Sequence, residues 1–140
     1  MQEDYTSYKS TRHAKYLCNY HFVWIPKYRR DILSPKIIEE FKKIVYGIAG
    51  ENGFQVIAME AESDHVHLFV SAPPVKSPAN LANTIKGVSS RRLGKIFPEI
   101  RTRDGEIWTR SYFVTTHGNI SSATIQKYID EQNGDKNAKG

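Results

Sequence analysis

The hydrophobic pattern of this chain predicts an α+β fold in which one antiparallel sheet carries two helices on one face. Two observations predict it. Runs rich in aromatic and β-branched residues recur at four places, as half-buried strands require. Two longer stretches with apolar residues at three-and-four spacing fall after the first run and after the third. The order is therefore β-α-β-β-α-β, the ferredoxin-like or split-βαβ pattern, followed by one further helix.

Lys15 to Ile25 reads as the first strand, ended by Pro26. Ser34-Pro35 opens a helix, because serine caps well and proline suits the first helical position. Ile37, Ile38, Phe41, Ile44, Val45 and Ile48 form its apolar stripe, and Asn52-Gly53 stops it. Phe54 to Ala61 is the second strand. The short link Glu62-Ser63-Asp64 turns it into a third, so the two read as a hairpin. Ala72-Pro73-Pro74 ends the third strand. Pro78 precedes a helix from about Ala79 to Phe97, with a modest stripe of Leu81, Ile85, Val88 and Ile96. Ile107 to Thr116 reads as the fourth strand, and Ser121 or Ser122 caps a last helix reaching Gln132. The chain divides into a flexible N-terminal lead (1–14), one domain (15–133) and a polar tail (134–140).

With 140 residues, 39% hydrophobic and 25% charged, the composition is that of a globular domain with a sizeable core. No apolar run approaches the ~20 residues that cross a bilayer, so no membrane partner is expected. The polar stretch from Met1 to Lys15 does not read as a signal peptide, and a cytoplasmic location is the default expectation. One cysteine, Cys18, excludes an internal disulfide and a multi-cysteine zinc site. The net charge of +5 permits a nucleic-acid partner without demanding one.

The third strand contains His65-Val66-His67. Side chains alternate along a strand, so both imidazoles share a face while Val66, Leu68 and Val70 take the core side. Two such imidazoles are half of a metal site. In the last helix Tyr128 and Gln132 lie four residues apart and stack on one face, beside the packing edge of Ile125 and Ile129. If that helix covers the open sheet face, His65, His67 and Gln132 can bind one metal with Tyr128 beside it. A phenol next to a metal suits attack on a phosphodiester. Only about a thousandth of a tyrosine with pKa ~10 is ionised at neutral pH, and a metal offsets the charge that develops on phosphate. One ester replaces another, so the break can be resealed without ATP, and no phosphate-binding G-x-x-x-x-G-K-[ST] loop is present.

His65-Val66-His67-Leu68 followed by Tyr128-Ile129-Asp130-Glu131-Gln132 resembles the single-tyrosine HUH transposases, the small single-strand DNA transposases of compact insertion sequences. Tyr20-His21-Phe22-Val23-Trp24 with Lys27-Tyr28-Arg29, then Glu60, Ser63-Asp64, Trp108 and Ser111-Tyr112-Phe113-Val114, extend the likeness over roughly residues 16–133. The resemblance implies a DNA transposase that cuts and rejoins single-stranded DNA at hairpin-marked element ends through a 5′-phosphotyrosine intermediate. It implies a homodimer with a merged sheet, in which the tyrosine helix can complete the partner's histidine site. It assigns Tyr128 as nucleophile and His65, His67 and Gln132 as ligands of one divalent metal per site, Mg²⁺ or Mn²⁺, with no nucleotide cofactor. Two imidazoles by themselves suit Zn²⁺ equally, whereas Mg²⁺ prefers oxygen ligands.

The basic turn Lys27, Tyr28, Arg29 and Arg30 offers charge and a stacking ring to DNA, and Arg91 and Arg92 are the second candidates. The plain alternative for each cluster is solvated surface charge. Trp24 and Trp108 read as core or interface, and His21 and His117 as structural or hydrogen-bonding. The rival functions are a domesticated nuclease-ligase acting on genomic hairpins by the same chemistry, a non-catalytic nucleic-acid-binding module of the same fold, and a zinc hydrolase with no use for Tyr128.

Overall fold

The computed structural model describes residues 8–117. Their elements in chain order are β1 (Lys9–Ser10), β2 (Lys15–Tyr16), β3 (Asn19–Trp24), α1 (Pro35–Asn52), β4 (Gln55–Glu62), β5 (His65–Ser71), α2 (Pro78–Ile96) and β6 (Phe113–His117). Strands β3 to β6 form one sheet in the order β4-β5-β3-β6, with every pairing antiparallel. This is the strand order of a ferredoxin-like βαββαβ sheet, as the pattern predicts.

Local chemistry sets the helix ends where the sequence places them. The Ser34 hydroxyl accepts from the Ile37 amide and Pro35 occupies the first turn of α1. Gly53 ends that helix at φ 70°, a left-handed conformation that only glycine adopts without strain. Ser77 and Pro78 repeat the start signal for α2. The two-residue turn Ser63–Asp64 joins β4 to β5, pairing Glu62 with His65.

The core lies between the sheet and the helices. Phe22 and Trp24 of β3, Val66, Leu68 and Val70 of β5, Phe41, Val45 and Ile48 of α1, and Leu81, Ile85 and Leu93 of α2 belong to one buried cluster. Trp24, Phe41 and Trp108 meet edge to face, with ring centres 5.4 to 6.1 Å apart. Trp108 also donates from Nε1 to the Ser89 hydroxyl at 2.9 Å. Both tryptophans are core residues.

Three expectations need correction. The fourth strand begins at Phe113 rather than Ile107. Residues 107–109 do approach the end of β3, through Lys27 N–H to Ile107 O and Thr109 N–H to Ile25 O. They remain an isolated bridge at Pro26 and Trp108, out of register with the Val23–Phe113 pairing that starts β6. The first strand is interrupted at Leu17 and Cys18, and its early part, β2, pairs with β1. The stretch expected as a flexible lead therefore contributes a strand of that short hairpin. The helix expected to carry Tyr128 and Gln132 lies outside the described residues.

Lys86 is buried in α2. Its ammonium donates to the carbonyls of Thr109 at 2.6 Å and Ser111 at 2.8 Å and stands 5.6 Å from the Tyr112 ring centre. Burial pushes it down to about 8, so it is still largely protonated at neutral pH. This one side chain ties the irregular segment before β6 to α2. Replacing Lys86 by Met leaves two carbonyls without their donor and is expected to cost about 1–3 kcal/mol in urea denaturation. Amide exchange should accelerate over residues 113–116 before it does in β4 and β5. Unchanged stability and exchange would show that the segment is held by other contacts.

Candidate metal centre on the sheet face opposite α1 and α2

The register of β3 against β5 opposes His21 to Phe69 and Val23 to His67. His21, His67 and Phe69 therefore share the face turned away from the core, with His65 two residues further along β5. His21 stacks on Phe69 with ring centres 4.0 Å apart and on His67 at 5.3 Å. His65 and His67 stand edge to face at 5.1 Å. All three imidazoles are buried, at 0% exposure for His21, 6% for His65 and 1% for His67.

The hydrogen bonds decide which nitrogen each ring can offer. His65 Nδ1 lies 2.9 Å from Asp64 Oδ1. An ionised carboxylate only accepts, so Nδ1 carries the hydrogen and Nε2 keeps its lone pair. His67 Nδ1 lies 3.0 Å from His21 Nε2. When Nδ1–H of His67 donates to that nitrogen, its Nε2 is likewise available. Burial, with the neighbouring His65 as a second cause, lowers His67 from 6.5 to about 4, so the ring is neutral at physiological pH.

Two adjacent imidazoles whose Nδ1 atoms face Asp64 and His21 are a donor set that fits a divalent cation through Nε2. No group of three or more His, Cys, Asp or Glu side chains is placed to hold a metal among the described residues. The site is a pair that needs further ligands, and Gln132, the predicted third, lies outside the described residues with Tyr128.

The basic turn after β3 is held from both sides. Lys27 pairs with Glu106 at 2.8 Å and Asp104 at 3.3 Å, and Arg29 pairs through Nε with Asp64 Oδ2 at 3.0 Å. The partners hold Lys27 above its ordinary pKa and Glu106 below, in each case chiefly through their mutual hydrogen bond. Arg30 Nε donates to the Lys27 carbonyl. Tyr28 and Arg29 both have positive φ, 63° and 51°, a strained conformation for such side chains. Tyr28 is 76% exposed. On α2, Arg92 pairs with Glu51 while Arg91 is exposed. Of the six candidate DNA contacts, Lys27, Arg29 and Arg92 thus already face carboxylates.

Sequence reasoning did not find the role of Asp64 or the contact of His21 with His67. Asp64 was visible as the residue before His65 in a tight turn. Its pairing with Arg29 joins positions 35 residues apart and has no local signal.

These features define a ferredoxin-like domain with a two-imidazole site on the sheet face opposite α1 and α2. Residues 14–132 match the family described as transposase, IS200-like. The ISDra2 transposase TnpA of Deinococcus radiodurans is 36% identical over 126 residues, covering 89% of this chain and 90% of that protein. The transposase for insertion sequence element IS200 of Salmonella typhimurium is 32% identical over 126 residues, covering 89% and 82%. A crystal structure of a Deinococcus radiodurans protein described as a transposase aligns with a TM-score of 0.74 and 34% identity, covering 89% of this chain and 97% of that one. A REP-associated tyrosine transposase bound to a REP hairpin shares the fold, with a TM-score of 0.60 at 14% identity over 87% and 69% of the two chains. The chain belongs to the IS200-like transposase family. Among its described residues no helix is long and apolar enough to cross a membrane.

The lowered pKa of His67 has a sign that can be checked. In the unfolded chain the ring takes a proton near 6.5, and in the fold only near 4. Lowering the pH through that window therefore favours unfolding, by up to about 3 kcal/mol at its lower end. Nitrogen-15 NMR of the metal-free protein should find His67 neutral at pH 5.5. A midpoint at 6.5 would contradict the environment described.

Proposed function

We propose that this protein is a DNA transposase that cuts and rejoins single-stranded DNA at hairpin-marked element ends, with Tyr128 as nucleophile. The observation that carries the reading is the buried His65–His67 pair, with the Nδ1 atoms on Asp64 and His21, in a chain of the IS200-like transposase family.

His65 and His67 would hold the metal, with Gln132 as a third ligand. Bound there, Mg²⁺ or Mn²⁺ would polarise the scissile phosphate and offset its developing charge. The Tyr128 oxygen forms a bond to phosphorus as the bond from phosphorus to the 3′ oxygen breaks. The phenolic proton leaves Tyr128, and the departing 3′ oxygen takes up a proton to become a hydroxyl. The product is a 5′-phosphotyrosine, and the reverse step with a new 3′ hydroxyl reseals the strand. Tyr28, exposed on a rigid turn, would stack on a base, and Arg30 and Arg91 would contact phosphates.

A homodimer agrees with the sheet. Among the described residues β6 pairs only with β3, so its outer edge can receive a second copy, and Phe113 is exposed on that strand. Whether Tyr128 acts within its own subunit or on the partner's histidines follows from where the last helix lies.

The protein should form a denaturant-resistant adduct with labelled hairpin DNA from its element's ends when Mg²⁺ or Mn²⁺ is present. Tyr128→Phe should abolish the adduct, and His65→Ala or His67→Ala should lower its rate by about 10³-fold or more. A Tyr128→Phe variant that cleaves at full rate would overturn the nucleophile assignment. Light scattering at micromolar concentration should give twice the chain mass, and a fully active monomer would contradict the dimer.

A further inference from the structure

We propose that Asp64 and Arg29 act together as positioning residues for His65, so that the basic turn sets the affinity of the metal site before DNA binds. The inference rests on the metal reading above and gives Arg29 a different role from the DNA contact that the sequence suggests.

The geometry is a three-member relay. Asp64 presents Oδ1 to His65 Nδ1 at 2.9 Å and Oδ2 to Arg29 Nε at 3.0 Å. Each carboxylate oxygen has a different partner, so the group cannot rotate without breaking one contact. The Asp64 and His65 side chains are nearly buried, at 10% and 8% exposure. Arg29 fixes the carboxylate from its second oxygen. So held, Asp64 accepts from Nδ1–H of His65, aims the ring and increases electron donation from Nε2. His67 Nδ1 faces the His21 imidazole and no carboxylate, which makes His65 the more strongly supported ligand of the pair.

The backbone agrees. The consecutive left-handed residues Tyr28 and Arg29 cost of order 1 kcal/mol each and persist only where contacts over-determine them. Those contacts are Lys27 on Glu106 at one end and Arg29 on Asp64 at the other, with Ser63 Oγ donating to Asp31 Oδ1 beside them at 2.8 Å. The strained turn that exposes Tyr28 is thus fastened to the residue that orients a metal ligand.

A double-mutant cycle tests the relay on the full-length protein without DNA. Mn²⁺ affinity is read from the electron paramagnetic resonance signal of free Mn²⁺, and hairpin affinity is measured separately in chelator. Asp64→Asn should weaken Mn²⁺ binding by about 10- to 100-fold. Arg29→Ala should weaken it by roughly 3- to 10-fold, and Arg29→Lys, which keeps the charge, should recover part of that loss. In the Asp64→Asn background, Arg29→Ala should add nothing, because Arg29 acts through Asp64. In the wild type, nitrogen-15 NMR should show the Nδ1–H tautomer of His65. Unchanged Mn²⁺ affinity in folded Arg29→Ala, with loss of hairpin affinity alone, would make Arg29 a phosphate contact and overturn the inference. Additive losses in the double variant would overturn it equally. A wild type that binds no Mn²⁺ would instead remove the metal reading on which the relay stands.

Discussion

A slip of one residue between Asn19–Trp24 and His65–Ser71 would carry Phe22, Leu68 and Val70 to the outer face and bury the imidazoles among the helices. The antiparallel register of β3 and β5 prevents this, because both strands are central and the helices demand apolar side chains on one side. The same constraint that builds the core places His21, His65, His67 and Phe69 together on the other face. The imidazole pair is a by-product of period-two alternation in a strand whose alternate residues are already committed to packing.

That constraint explains why so much could be read in advance. Val66, Leu68 and Val70 announce the core face, and a strand with one face assigned has its other face assigned too. The helix boundaries followed from Ser34-Pro35, Asn52-Gly53 and Ser77-Pro78, since caps depend on neighbouring residues alone. The misplaced start of β6 came from a change of register between the Pro26–Trp108 bridge and the Val23–Phe113 pairing, which depends on the partner strand. The alternating pattern of 107–116 could not register it.

The candidate site divides along the same line. His65 and His67 are neighbours in sequence and were found there. Asp64 adjoins them, but its importance comes from Arg29, which the fold supplies from the turn after β3. Lys86 carried the same signal as any surface cation, yet the segment before β6 closes over it. Charge in a sequence says how many cations there are and leaves open how many are already paired. Tyr128 and Gln132 lie outside the described residues, and their roles belong to the proposal alone.

The central claim is that His65 and His67 present Nε2 jointly to one ion on the sheet face opposite α1 and α2. Diffraction from crystals soaked in Mn²⁺, recorded for anomalous scattering, tests it most directly. The account predicts a single anomalous peak within bonding distance of both Nε2 atoms, with His65 Nδ1 still on Asp64. A peak at either Nδ1, or at a site touching neither ring, would contradict it.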